Sequence, residues 1–380
     1  MKKIDKIDWA QVTAIDAFEF RNAPTPRTVF LLRRLKQAFF LDINIESKGS
    51  AEYLCFRSLN RQDYKELFEQ IIQSITKPKQ VVQDYSEASA KPNPSIILNC
   101  IRYWRIFFRL QSRSLWERAY LFLRLAPHLL VLEKLKRKQF RTLIVFAEMQ
   151  PSDNLIAQYF KDRITITMQH GLYVDYSEIE TVNKVNYESQ SAEYFLAWGN
   201  NTCELMNRYK PGRKIAICGK PNLYDLKGDR TPGRFFTVIF DQPMFHSYNE
   251  QLLSIAYEYA ERSNLKIYLR YHPWNNVSLY RIDKAKMINS QAIEDSDFAI
   301  GHTTSMIYEL LRIGVPAYKL SSPEPALPTP PELLFCNSIE LFRLTENRHL
   351  YDFKTIGKEY ISYCGEESIS QYRSFFDKLG

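Results

Sequence analysis

Three of the six histidines in this 380-residue chain stand where an apolar run gives way to a turn: His170 after 164–168, His272 after 265–270 and His302 after 298–301. An imidazole titrates near neutral pH, so at such a place it can accept a proton from a hydroxyl or sit against a phosphate. One histidine so placed is usually a satisfied structural group; three point to chemistry. Around the last of them, Gly301-His302-Thr303-Thr304-Ser305 brings hydroxyls to the start of a helix that runs to about Ile313. Backbone N–H groups and hydroxyls there can hold an anion, and Glu309, about one turn in, is placed for a ribose hydroxyl. The same stretch also fits an ordinary N-capped helix. Glu148 and Asp153, just after the run 142–147, compete with His170 as a general base. Asp295-Ser296-Asp297 has the D-x-D form of a metal site but leads into a strand instead of following one, and reads as a surface loop. The six cysteines show no C-x-x-C spacing and no clustering with histidine, so reduced thiols and no metal are expected.

Such residues need rigid strand ends. The runs 142–147, 164–168, 194–199 and 214–219 are short, apolar and β-branched, and helical patterns separate them. Strands of that kind are buried on both faces and joined by crossover helices into a parallel sheet. A second series follows Pro232, with strands over 235–240, 265–270, 298–300 and 315–320 and helices over 249–263 and 304–313. This pattern predicts an α/β chain of two Rossmann-type, doubly wound domains facing across a cleft. Their bounds are residues 1–225 and 226–380, with the last helix able to pack back on the first domain. In open parallel sheets ligands bind at the carboxyl ends of strands, where the three histidines fall. Ahead of Arg141 the pattern is coarser: a helix near 29–40, a strand at 53–56, a polar loop over 77–94 and a long helix over 96–132.

Glycine is scarce, 12 residues, and all but Gly49 lie at or beyond Gly171, so the two ends of the chain differ in build. Charge is uneven as well. The formal total is +8, yet residues 101–141 hold eleven Lys/Arg against two acids, a net of 11 − 2 = +9 that leaves −1 for the rest. Arg102, Arg105, Arg109 and Arg113 have the spacing of one stripe on a helix. With Trp104, Phe108 and Trp116 among them, the helical basic segment 96–141 suits an anionic membrane or acceptor surface. Packing on the first sheet with a solvated basic side is the alternative. No nucleic-acid module accompanies the segment, so nucleic acid is not an expected partner. The N-terminus has no apolar h-region, and no stretch reaches the ~18 apolar residues of a span. A cytoplasmic protein is expected, peripheral on the inner face of the plasma membrane if the basic segment docks there.

Residues 300–316, a hydroxyl-rich turn before a helix carrying Glu309 and then Gly314-Val315-Pro316, resemble the nucleotide-binding segment of GT-B glycosyltransferases. Arg270-Tyr271-His272-Pro273 is similar to the His-Pro motif of the bacterial sialyltransferase and polysialyltransferase group, and to the matching histidine of the teichoic-acid glycerophosphotransferases. Met168-Gln169-His170-Gly171 resembles the His-Gly loop of the latter and of capsule polysaccharide transferases. Order and spacing agree over about residues 142–320. The resemblance implies a GT-B fold and a metal-independent glycosyltransferase, with no cofactor, that moves a sugar from a nucleotide-sugar donor to a bacterial capsule or lipopolysaccharide. It implies that His272, Thr303, Thr304 and Ser305 hold the donor phosphates and Glu309 the ribose, in a set that includes Arg270, Pro273, Gly301 and His302. His170 is then the general base, with Glu148 and Asp153 as alternatives, since the acidic pair of the sialyltransferase group is not cleanly reproduced. Polyol-phosphate transfer from a CDP-glycerol or CDP-ribitol type of donor, nucleotide-sugar epimerisation, and a basic membrane or scaffold protein stand as alternatives. The partners expected are the donor, a glycan or lipid-linked acceptor, and an anionic membrane surface.

Overall fold

The computed structural model describes residues 3–23, 27–44, 50–58, 61–83, 85–88, 91–148, 150–176, 180–224, 226, 231–272, 275–283, 286 and 292–379. The strands ahead of Pro232 are β1 (Leu41–Asn44), β2 (Tyr53–Arg57), β3 (Lys79–Gln83), β4 (Tyr85–Ala88), β5 (Thr142–Val145), β6 (Ile164–Met168), β7 (Tyr194–Ala197) and β8 (Lys214–Ile217). Beyond it come β9 (Phe235–Ile239), β10 (Lys266–Arg270), β11 (Ala299–Gly301), β12 (Ala317–Leu320) and β13 (Leu334–Phe335). One sheet has the order β3-β2-β5-β6-β7-β8 and the other β10-β9-β11-β12-β13, each parallel throughout. Both are doubly wound: the strand order reverses between β2 and β5 in the first and between β9 and β11 in the second.

Side chains alternate across a strand, so the first sheet feeds two cores. Tyr53, Cys55, Ile144, Phe146, Ile166 and Met168 join Phe68 and Ile71 of the helix Gln62–Gln73, and that core continues into the second sheet through Phe236, Ile300 and Tyr318. Leu54, Phe56, Leu143 and Val145 belong to the other, with Leu121, Leu125, Leu129 and Leu132 of the helix Leu115–Leu135. The chain crosses back near its end. The Arg312 Nε donates to the Ile361 carbonyl (2.8 Å), the Ser362 N–H to the Trp198 carbonyl (2.8 Å) and the Lys220 N–H to the Tyr363 carbonyl (2.9 Å). The helix Gly365–Leu379 then lies on the first sheet, where the Tyr53 hydroxyl donates to the Phe376 carbonyl (3.2 Å) and the Ser368 hydroxyl to the Cys218 carbonyl (2.7 Å).

Two expectations ahead of Arg141 are corrected. Residues 77–94 are not all loop, for they carry β3 and β4. Sequence Lys-Gln-Val-Val-Gln gives β3 two apolar residues, enough for a sheet edge but too few to stand out. Residues 96–132 are not one helix: they form the helix Pro94–Arg102, the 3-10 segment Trp104–Arg109, and the helix Leu115–Leu135. Ser114 starts the last, its hydroxyl accepting the Glu117 N–H at 3.1 Å, the S-x-x-E pattern of a helix start. The four arginines therefore do not share a helix. Among the described residues no helix is long and apolar enough to cross a membrane.

Candidate active site

The switch point of the second sheet is where a doubly wound fold opens a crevice. The chain leaves β9 at Asp241, whose Oδ2 accepts the Thr303 N–H at 2.7 Å and also the Thr303 hydroxyl. Its backbone is gripped from two sides: Asn249 Oδ1 accepts the Asp241 N–H (2.8 Å), and Asn275, beyond β10, donates to the Asp241 carbonyl (2.7 Å). Burial pushes the Asp241 pKa up, but the His302 ring and hydrogen bonds from Thr303 and the Gln242 N–H outweigh it and hold the carboxyl below its usual range. His302 is wholly buried, stacked on Tyr248 at 4.1 Å, with Nε2 2.6 Å from the Ser322 hydroxyl and Nδ1 3.6 Å from Asp241 Oδ2. It braces the ends of β9, β11 and β12. Thr303 spends both donors on Asp241, so the phosphate-holding role expected of it does not fit its geometry, and His302, expected in the donor-binding set, is engaged by Ser322 and Tyr248.

The neighbouring strand supplies a cation instead. Lys319, in register with Gly301 across β11 and β12, is 6 % exposed. In-register residues of parallel strands share a face. A Cβ on Gly301 would meet Thr304 Cγ2 at 2.9 Å and Ile307 Cδ1 at 3.1 Å, so Lys319 stands on the Thr304 side of the sheet. No carboxylate pairs with it among the described residues, and burial alone pushes its pKa below the ordinary lysine value. The other buried lysine without a partner, Lys138, precedes β5 at the amino edge of the first sheet, away from strand carboxyl ends. The Thr304 hydroxyl oxygen accepts the Met306 N–H at 3.3 Å, leaving its own hydrogen to donate, and no side-chain cap is made by Ser305.

A chain of contacts links this edge to the first sheet. Glu309 Oε2 lies 2.5 Å from Lys220 Nζ, which is 5.1 Å from the centre of the Trp198 ring. The Trp198 N–H donates to Gln169 Oε1 at 2.6 Å, and Gln169 Nε2 donates to the Gly171 carbonyl at 2.8 Å. His170 is thus held in a braced loop at the carboxyl end of β6. Its ring meets Tyr64 (5.6 Å), Phe146 (6.1 Å) and Tyr173 (6.0 Å). Burial pushes its pKa down to about 4, aided by the Arg61 guanidinium and opposed by the Met168 carbonyl. The value near 6.5 expected for a proton acceptor is not met, but the ring is neutral at pH 7.

The competing bases are committed elsewhere. Glu148 is buried against Arg213 (3.0 Å), and its Oε1 accepts the Ser191 hydroxyl (2.7 Å), the Ser191 N–H and the Ala192 N–H (2.8 Å). Asp153 is buried too, accepting from the Ser58 hydroxyl and from the Ala147 N–H at 3.3 Å. It ties β2 to β5 at the switch point of the first sheet and does not cap its helix, which begins with Pro151 after Gln150. Arg270 ends the edge strand β10 and is exposed, while His272 is half-buried, its carbonyl accepting the Asn275 N–H at 2.9 Å. Pro273 lies outside the described residues. Asp241, Lys220 and Lys319 were not singled out from sequence, although a lysine within the buried strand Ala317-Tyr318-Lys319-Leu320 is itself a signal.

The two sheets have the GT-B arrangement. Among solved structures the chain is similar to the UDP-N-acetylglucosamine 2-epimerase of Methanocaldococcus jannaschii, with a TM-score of 0.52 and 13 % identity over 86 % of this chain and 100 % of that one. The UDP-N-acetylglucosamine 2-epimerase of Rickettsia bellii matches with a TM-score of 0.50 and 13 % identity, over 87 % and 98 %. At such identity the likeness is one of fold. No protein-family model and no curated protein matches the sequence.

Proposed function

We propose that this chain is a GT-B enzyme that binds a nucleotide-sugar and transfers the sugar to a bacterial surface glycan, capsule or lipopolysaccharide. Lys319 carries the reading: a lysine only 6 % exposed, with no carboxylate partner among the described residues, on the Thr304 side of the second sheet and close to its switch point. A buried unpaired cation is unfavourable until an anion arrives, and the donor phosphate is that anion. In the transfer, the acceptor oxygen bonds to the anomeric carbon and the bond from that carbon to phosphate oxygen breaks. The nucleotide departs with the electron pair, and the acceptor proton goes to a base. Lys319 and the Thr304 hydroxyl stabilise the departing charge, so no step calls on a metal. The Glu309 oxygen not bound to Lys220 serves a ribose hydroxyl. His170, neutral and not tied into an ion pair, takes the proton.

Nucleotide-sugar epimerisation is the second reading, favoured by the likeness in fold to two UDP-N-acetylglucosamine 2-epimerases. Both readings need the same nucleotide site. A thermal-shift panel of CMP, CDP, UDP and GDP tests it, with stabilisation by at least one expected and none at millimolar concentration overturning both. The sugar conjugate of the nucleotide that binds then separates them: a transferase releases nucleotide when acceptor is added, whereas an epimerase inverts a sugar carbon without acceptor.

A further inference from the structure

Seven of the seventeen exposed large apolar side chains among the described residues lie between Ile97 and Trp116. Exposure runs from 44 % at Ile97, through Trp104, Phe108, Leu98, Ile101 and Trp116, to 71 % at Leu115. A concentration of this kind marks an interaction surface, whereas single exposed apolar residues do not. The segment is also firmly seated. Ile106 and Leu110 point into the core while Trp104 and Phe108 point out, and these two rings meet edge to face at 5.5 Å. Phe107, packed on Phe108, is rooted on Phe122 of the long helix at 6.1 Å. The aromatic tips are therefore presented on a fixed base.

The segment itself is strongly basic. Residues 94–118 hold five arginines and a single acid, Glu117, which is buried and paired with Arg21 at 2.7 Å. Arg102 is paired with Glu133 and Arg109 with Asp5, while Arg105 has no acidic partner among the described residues. Beside them lies a cavity of about 420 Å3 lined by five cations, Lys3, Arg102, Arg105, Arg109 and Lys136, against one carboxylate, Asp5, with room for a phosphate headgroup. We infer that this face, from Pro94 to Arg118, docks the protein on the surface of an anionic lipid bilayer. The aromatic and aliphatic tips enter the headgroup boundary and the arginines meet lipid phosphates. A second copy of the chain is a poorer occupant, because an isologous contact would press the same arginines against one another. The inference does not depend on the donor chemistry proposed above.

The test is flotation of the full chain, without nucleotide, on vesicles of phosphatidylcholine alone and of phosphatidylcholine mixed equally with phosphatidylglycerol. Binding to the anionic vesicles alone, weakened by salt, is expected. Each cation near such a surface strengthens partitioning about fivefold, so Arg105→Glu, which changes the charge by two, should weaken it roughly 25-fold. Trp104→Ser with Phe108→Ser should abolish flotation while leaving the melting temperature unchanged, and Leu350→Ser, an equally exposed site elsewhere, should leave flotation intact. Failure of the wild type to float on anionic vesicles, or flotation indifferent to the aromatic pair, would overturn the inference. So would a dimer in sedimentation velocity that the aromatic changes dissociate.

Discussion

Replacing Lys319 with methionine keeps a straight stem of similar length and deletes the charge, and the structure requires two effects of opposite sign. The free protein should become more stable, because a largely buried lysine with no carboxylate partner among the described residues gives way to an apolar group. Burial of a polar group without its partner costs about 1–3 kcal/mol, a gain worth several degrees in melting temperature. Nucleotide affinity should fall, since an interaction with a charged group is worth about 1.5–3 kcal/mol, a loss of roughly 10- to 150-fold. Calorimetric titration with whichever of CMP, CDP, UDP and GDP stabilises the wild type reads the second effect, and thermal unfolding without nucleotide reads the first. The pH dependence supplies a third readout. Burial holds the Lys319 pKa below its ordinary 10.5, so between the two values the unfolded chain keeps a proton that the folded chain has released. Wild-type stability therefore rises with pH through that window, a slope that Lys319→Met lacks. Unchanged affinity, or a variant less stable than the wild type, would refute the reasoning, because either result means that Lys319 serves the fold.

His170→Asn should keep nucleotide affinity and lose turnover; because burial holds the His170 pKa down to about 4, the acid limb of wild-type kcat/KM should lie near pH 4 instead of near 6.5. Glu148→Ala strands the buried Arg213 guanidinium and should cost about 3–5 kcal/mol in denaturant unfolding, with any lost activity following the lost fold. Gly219→Ala should be damaging beyond its size, since φ there is +81° and a Cβ would lie 2.1 Å from the Tyr363 carbonyl oxygen. Circular dichroism melting should show a drop of at least about 1 kcal/mol, the ordinary penalty for a left-handed non-glycine residue.

The central strands were legible because they are buried on both faces: β5, β6, β7 and β9 are short runs rich in apolar and β-branched residues that fit little else. Edge strand β3 was hidden because one side of it needs no partner and two valines suffice. The break between Arg102 and Leu115 was hidden for a different reason. Apolar periodicity continues through it, with Ile106 and Leu110 still turned inward, and the telling residues were Ser114 and Glu117. At the site, strand-end logic singled out His170, His272, His302 and Thr303, but a sequence displays a carboxylate or imidazole without what binds it. Glu148, Asp153 and His302 look available on the page and are each engaged in the fold. Lys319 is the converse, a residue whose interest lies in having no carboxylate partner among the described residues, which only the fold reveals.

The return of residues 359–379 to the first sheet has a bearing on how the protein is made. Tyr53 and Phe376, joined by a hydrogen bond, are 323 residues apart. A ribosome therefore delivers all six strands of the first sheet, and then the whole second half, before the helix that covers Tyr53 leaves the exit tunnel. Throughout that interval the nascent amino-terminal half carries an open apolar face, the kind of intermediate that chaperones hold and that aggregates without them. A premature stop codon after Ser362 would spare every strand, yet its damage would fall on the part of the molecule translated first.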